Sequence, residues 1–459
     1  MLHVWYNSIG MRRNLNCAAL VLMHAFYVII AVGQSTYQPS NFPSDFVDSW
    51  IDGSSGSLHT FREASFADQS GFQSDFRVPS AHTHDLIFTI QLRNMDKLEQ
   101  ILYDVSEPTN AKYGHHLSTQ DVVDLTSNKV ACDEVTRYLQ TAGATIVSKR
   151  FSCGSITARG SVRLWERMLD TKFYSISRVS ELVQNGTRKS GTAGATFIGT
   201  ERYSVPLSLD AHIASIQNTI ERPSILTRKV HYVAPNPSDH VGKDRFSVKT
   251  RIELPYITPG LLSRAYNVSD NTGHPLATQT ALQGFDQAFA PEDLKIFQET
   301  MYIPVQPIEH FINGAASASV QTSDWCQPRP EICAESNLDY QYLMGMANTP
   351  TIYVYNDERN FSEWLLKWVH GKTPLPLIMS MSYNYEEAFI TAAEKTAFND
   401  AAIMLGTMGV TILVASGDDG ACNPKARQNP SQCAYRPGFP NTSPFVISVG
   451  ATKVRRRSL

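Results

Sequence analysis

The sequence carries no surplus of basic charge: 40 Lys and Arg stand against 43 Asp and Glu, a net charge of −3. That balance offers no field to a phosphate backbone, so nucleic acid is set aside as a partner. The chain also holds no G-x-S-x-G, no H-E-x-x-H, no P-loop and no zinc-type Cys/His spacing. Common signatures of serine hydrolases, zinc proteases and nucleotide enzymes are therefore missing. No internal repeat is visible, and long apolar runs are absent apart from one near the start.

That run, residues 17–33 (CAALVLMHAFYVIIAVG), follows Arg12 and Arg13 and ends on the small residues Ala31 and Gly33. Positive flank, apolar centre and small-residue exit read as a signal peptide over residues 1–33. An uncleaved anchor is the alternative, but a spanning helix needs roughly 20 apolar residues, and His24 interrupts this run. Loss of the signal removes Cys17 and leaves Cys132, Cys153, Cys326, Cys333, Cys422 and Cys433. An even count suits an oxidising compartment. The local pairs 132/153, 326/333 and 422/433 are possible, and spacing alone does not choose among the alternatives. Sequons at Asn185, Asn267, Asn360 and Asn441 agree with secretion, although Pro444 weakens the last. The expectation is a secreted or acid-vacuolar (lysosomal) chain, with no membrane contact after signal removal.

With 42% hydrophobic and 18% charged residues, 459 positions suffice for two or three globular domains. Residues 34–83 show no sustained period and read as a flexible lead-in. From 84 to 221 the pattern is that of a compact α+β domain. DLIFTIQL alternates as a strand, and NMDKLEQILYDVS places Leu98, Ile101 and Leu102 on one helical face. STQDVVDLTS reads as a helix capped by Ser118, and DEVTRYLQTAG as a helix ended by Gly143, before the short strands of TIVSKRFSCGSITARGS. Residues 222–252, polar and rich in Pro and basic side chains, have the composition of a cleavable linker. Beyond 253 apolar strands alternate with helices: NLDYQYLMGMA, TPTIYVYN, FSEWLLKWVHG, LPLIMSMSY, a long helix over 386–409, and VTILVAS. Such alternation predicts a parallel sheet with helices on both faces, whose sites lie at the carboxyl ends of strands.

Three acids stand out. Glu335 and Asp339, four apart on a predicted helix, share a face. Their stripe continues through Leu338, Tyr342, Leu343 and Met346, so the pair is expected to be buried. An E-x-x-x-D spacing is ordinarily a solvated pair, whereas two acids on a buried face are costly unless paired or used. Asp418 follows the strand VTILVAS, between Gly417 and Gly420, which permit a tight turn at the strand's mouth. A plain strand-to-loop turn is the alternative there, and Asp419 reads as a solvated turn residue. His82, His84, His115 and His116 read as turn or surface histidines, and Ser190–Thr192 as loop.

Taken in order, these segments resemble the sedolisin family of serine-carboxyl peptidases, in particular its secreted tripeptidyl-peptidase-like members. Asp104-Val105-Ser106-Glu107-Pro108 and Lys112-Tyr113-Gly114-His115-His116-Leu117-Ser118 are similar to the D-x-x-x-P and Y-G-x-H-L-S patterns of the activation prosegment. Ile257-Thr258-Pro259 with Leu261, Leu262 and Tyr266 resembles the start of the mature domain. Glu335 and Asp339 fall on the family's E-x-x-x-D, Ser416-Gly417-Asp418 on its S-G-D, and residues 440–452 on the following strand. Asp419 stands where the family usually has Ser.

The resemblance implies an α/β, subtilisin-like parallel sheet with helices on both faces, incomplete at the C-terminus, preceded by an α+β prosegment domain. It implies a peptidase domain over 253–459, with Glu335 as base, Asp339 as its orienting partner and Asp418 as oxyanion donor, acting on peptide and protein substrates. The prosegment is implied as an intramolecular inhibitor. Asp418 donates only when protonated, so activity is expected in acid. The family's nucleophile belongs to a G-T-S-x-S segment that residues 1–459 do not contain, and the acids and carbonyls that hold its calcium ion are missing too. The chain alone is therefore expected to be inert. A catalytically dead pseudo-peptidase, or a prosegment-type inhibitor or chaperone, is the alternative. A retaining glycosidase using Glu335 and Asp339 is a weaker third reading.

Overall fold

In the computed structural model, the described residues are 49–51, 58–63, 72–220 and 257–452, with short breaks inside the last two stretches. The signal-peptide and linker readings fall outside them, as do Asn185 and Asn360. Among the described residues no helix is long and apolar enough to cross a membrane. Contacts divide the chain into two compact units, 1–35 with 229–357 and 375–382, and 36–228 with 358–374 and 383–459.

The second unit opens with three strands in what reads as lead-in: β1 (Ser49–Ile51), β2 (Leu58–Glu63) and β3 (Phe72–Arg77). This departs from the expected flexible segment. β2 and β3 also take partners from far along the chain, which no local period reveals. β2 pairs with β1 and with a strand at 202–206, and β3 with one at 174–184.

Next come β4 (Thr83–Ile90), α1 (Met95–Ser106), α2 (Thr119–Thr126), α3 (Lys129–Ala142), β5 (Thr145–Arg150), β6 (Ser155–Ser161) and α4 (Val162–Met168). β7 (Tyr174–Gln184), β8 (Thr187–Thr192), β9 (Phe197–Gly199), β10 (Arg202–Pro206), α5 (Leu207–Asp210) and β11 (Ile213–Gln217) complete the region. Ser190–Thr192 thus end a strand rather than lie in a loop. The central sheet is antiparallel in the order β11-β4-β6-β5. β4 buries Leu86, Phe88 and Ile90 by strict alternation, and α3 buries Ala131, Val135 and Leu139 at helical spacing. Ser118 caps α2 in a capping box with Asp121, and Gly143 ends α3 at φ 96°. Trp165 lies at the centre of this core, with its indole N–H donated to the His84 carbonyl at 2.8 Å. His84 is itself half-buried, its ring bonded to the Asn218 carbonyl at 2.9 Å rather than free on the surface.

The first unit holds α6 (Pro259–Tyr266), β12 (Gln279–Gly284), α7 (Pro291–Thr300), β13 (His310–Ile312), α8 (Ser323–Cys326), α9 (Pro330–Met346), β14 (Thr351–Asn356) and β15 (Ile378–Met381). Its four strands are parallel, in the order β13-β14-β12-β15. That is the sheet expected from alternating apolar strands and helices. β12 is buried along its whole length, as a parallel strand covered on both faces must be.

The remainder of the second unit comprises α10 (Phe361–Val369), β16 (Tyr385–Glu386), α11 (Ala392–Thr407), β17 (Thr411–Ala415), β18 (Gly438–Phe439) and β19 (Ile447–Val449). β17 and β19 pair in parallel. The helix expected from 386 starts at 392 instead, because Thr391 forms a capping box with Glu394 and residues 385–389 form β16 and a 3-10 turn. α10 and α11 pack on each other, and α11 packs against α1.

The three disulfides are Cys132–Cys153, Cys326–Cys333 and Cys422–Cys433, the local pairs left open by spacing. Asn267 is exposed in the left-handed region after α6, whereas Asn441 is half-buried and Ser443 of its sequon is buried, bonded to Asn399 at 2.7 Å. Trp165→Ala should cost roughly 3–5 kcal/mol, as large core truncations do, read as a lowered denaturant midpoint; an unchanged midpoint would contradict the packing described.

Candidate active site

α9 begins at Pro330, favoured in a helix's first turn, and carries Glu335 and Asp339 one turn apart. Glu335 is 2% exposed. Asp339 is half-buried. The expected apolar stripe is partly corrected. Leu338 is 43% exposed, and the core-facing positions are Cys333, Ser336, Tyr340 and Met344. At about 100° per residue, Tyr340 and Met344 define the buried axis, and the acids flank it.

Asp339 is held on both oxygens. Gln283 Nε2 donates to Oδ2 at 2.8 Å, and Ser382 Oγ donates to Oδ1 at 2.7 Å. An acceptor on both oxygens has the pattern of an ionised carboxylate. Gln283 is fully buried near the carboxyl end of β12, and Ser382 directly follows β15. Both therefore sit where parallel sheets place their sites. Neither was singled out from the sequence; a polar side chain closing an apolar strand was the signal available. Tyr340 is buried beside them, its hydroxyl on the Ala281 carbonyl at 3.1 Å, and burial pushes its pKa well up.

Asp418 belongs to the second unit, in the turn after β17. Gly417 and Gly420 take φ of 95° and 59°, as a tight turn requires. Asn384, buried, donates to the Ala415 carbonyl at 3.1 Å and anchors the end of the strand. Asp418 is exposed, and Asp419 is the half-buried neighbour. Asp418 keeps the strand-mouth turn expected of it, whereas Asp419, expected as a solvated turn residue, is half-buried. The Cys422–Cys433 disulfide follows this turn closely in the chain.

The same unit shows how the prosegment-like region covers α10 and α11. Phe151, Ser152 and Cys153 all adopt positive φ, and the Cys132–Cys153 disulfide ties this turn to α3. The Phe151 ring lies 5.5 Å from that of His370, with Ser152 Oγ 3.5 Å from its Nδ1. Arg150 pairs with the buried Glu363 at 3.4 Å. A small cavity beneath is lined by Thr89, Asn128, Phe151, His370, Ala397 and Asp400. Burial lowers the His370 pKa to about 4 and raises that of Asp400 to about 6.

Among the described residues no group of three or more His, Cys, Asp or Glu could hold a metal ion. No step below runs through one.

Residues 70–222 match the family model "Pro-kumamolisin, activation domain". The chain is 26% identical over 396 residues to Tripeptidyl-peptidase SED2 of Arthroderma otae, covering 80% of this chain and 63% of that protein. It is 26% identical over 400 residues to Tripeptidyl-peptidase 1 of Canis lupus familiaris, covering 83% and 64%. The chain is thus similar to the sedolisin-type tripeptidyl peptidases, and residues 70–222 to their activation prosegment. It spans just under two thirds of the length of these curated relatives. A Pseudomonas sedolisin structure, complexed with pseudo-iodotyrostatin, aligns at a TM-score of 0.33 and 17% identity over 44% of this chain and 55% of that one, too weakly to add to the assignment.

Two outcomes follow from the site's geometry. Gln283→Leu removes a donor from the Asp339 carboxylate and should cost about 1.5–3 kcal/mol, the range for bonds to charged groups, measured by denaturant unfolding; a neutral effect would show that the bond is not made. The second concerns pH. The lowered pKa of His370 contributes stability that is present above about 6.5 and lost as pH falls through about 4. The raised pKa of Asp400 contributes stability that is present below about 3.8 and lost as pH rises through about 6. Each is worth at most about 3–3.5 kcal/mol at 1.36 kcal/mol per pKa unit. The two oppose each other between pH 4 and 6. Asp400→Asn should therefore stabilise the fold at pH 7.5 and leave it unchanged at pH 3, as read from unfolding midpoints across that range; equal effects at both ends would remove Asp400 from the account.

Proposed function

We propose that this chain is the precursor of an acid-acting serine-carboxyl peptidase, a tripeptidyl peptidase or endopeptidase, secreted or delivered to an acidic vacuole or lysosome. The observation that carries this reading is the α9 pair: Glu335 buried, and one turn on Asp339 fixed on both oxygens by Gln283 and Ser382. A solvated pair would need no such supports. In the proposed mechanism, Glu335 takes the proton of a serine hydroxyl as it attacks the peptide carbonyl. Asp339 holds Glu335 in orientation, as the third group of a triad does. Asp418, protonated, donates to the developing oxyanion, and its exposed position before substrate arrives leaves that carboxyl open to the peptide. The activation prosegment acts as an intramolecular inhibitor.

The serine of this mechanism would belong to a G-T-S-x-S segment, which is not among residues 1–459. A pseudo-peptidase or prosegment-type inhibitor is the second reading. Purified residues 34–459 should accordingly be inert.

The deciding assay takes the longest natural product of the reading frame and measures release of tripeptides, and internal cleavage of a denatured protein, between pH 3 and 7. The peptidase reading expects turnover in acid, a loss on the order of 10⁴–10⁶ in Glu335→Gln, and about 10²–10³ in Asp418→Asn. No turnover at any pH, or turnover indifferent to Glu335→Gln, leaves the second reading standing.

A further inference from the structure

Two glycines interrupt the end of α11, at Gly406 inside the helix and Gly409 just past it. Glycine inside a helix is destabilising relative to alanine, so it needs a reason. A Cβ on Gly406 would stand 2.6 Å from Leu102 Cδ1 of α1. One on Gly409, at φ 91°, would stand 2.9 Å from His116 Cδ2 and 3.1 Å from its Cγ. Both close approaches are to the activation prosegment.

The backbone accounting points the same way. α11 ends in a Schellman arrangement: Val410 N–H donates to the Leu405 carbonyl and Gly409 N–H to that of Gly406, both at 3.0 Å. This leaves the Thr407 carbonyl without an intrahelical donor. The prosegment supplies one, Leu117 N–H at 2.9 Å, and the His116 ring hydrogen-bonds the same residue's backbone. His116 and Leu117 are presented on a stiff bracket. Gly114, at φ 74°, gives its N–H to the Val105 carbonyl at the end of α1, Lys112 pairs with Asp104 at 2.8 Å, and Ser118 caps α2. The Lys112–Ser118 motif thus has a physical task at nearly every position, and none of them is peptidase chemistry.

We propose that Leu102, His116 and Leu117 form the latch by which the activation prosegment grips the peptidase part of this chain, keyed to a two-glycine notch, Gly406 and Gly409, at the end of α11. The partner that this surface fits is a prosegment carrying Leu at the third turn of α1 and a His-Leu bracket before α2. Because α11 leads directly into β17, the latch also braces the strand that precedes Asp418. The inference rests on the prosegment assignment and not on the proposed chemistry, so it can fail or hold independently of peptidase activity.

The test is hydrogen–deuterium exchange on the full chain. Gly406→Leu, a good helix former, should raise exchange of residues 95–118 and 403–410 by about tenfold as the latch is pushed off. Leu102→Ala added to it should bring protection back to within about threefold, because the volume is returned across the contact. Gly406→Leu with no effect on 95–118, or a Leu102→Ala that adds to the damage, overturns the proposal. Should Gly406→Leu fail to fold, His116→Ala serves: it should raise exchange at Leu117 and Met408–Val410 with β4 and α3 unchanged. Unchanged exchange at those amides would equally overturn it.

Discussion

A carboxylate taken out of water must be given hydrogen bonds, and this requirement organises the first unit. Burying an ionised acid without partners costs many times the stability of a typical domain. α9 carries two acids within one turn, and the carboxyl ends of β12 and β15 meet Asp339 with neutral donors, one from a buried amide and one from a hydroxyl. The parallel order of β12 and β15 is what brings Gln283 and Ser382 to the same end of the sheet. Reversing either strand would send its donor to the opposite end of the sheet, away from Asp339.

The second unit solves a different problem, that of covering two strongly apolar helices. α10 buries Phe361, Trp364, Leu365, Trp368 and Val369, and α11 is buried almost all round from Phe398 to Thr407. Such surfaces are not left in water. The prosegment covers them with α1, with the Phe151–Cys153 turn and with the segment around His116. Few charges enter this face, and each that does is paired or shifted: Glu363 with Arg150, His370 held neutral, Asp400 pushed towards its protonated form. A cover built this way carries groups that respond to acid in opposite directions.

Much of this was legible from residue order. The alternation of apolar strands with helices predicts the parallel sheet, the period in 84–90 predicts β4, and Ser118 and Gly143 mark helix ends because their side-chain and backbone chemistry is local. The helix that carries Glu335 and Asp339 one turn apart follows from its period. What escaped depends on distant partners. β2 and β3 form because strands about a hundred or more residues away accept them. Leu338 was assigned to the buried face because a four-residue stripe is compatible with two neighbouring helix axes, and packing chose the one through Tyr340. Gln283 and Ser382 are single polar residues in apolar runs, meaningful only once two strands are set side by side. Asp418 sits in the turn at the strand mouth that its flanking glycines, both at positive φ, allow.

The central claim is that Glu335 is a base oriented by a fixed Asp339. It is tested most directly by a crystal structure, at acid pH, of the longest natural product of this reading frame. The account predicts a serine hydroxyl within about 2.6–3.2 Å of the Glu335 carboxylate, with Gln283 and Ser382 still bonded to Asp339. A Glu335 facing no hydroxyl, or an Asp339 released from both donors, would contradict it.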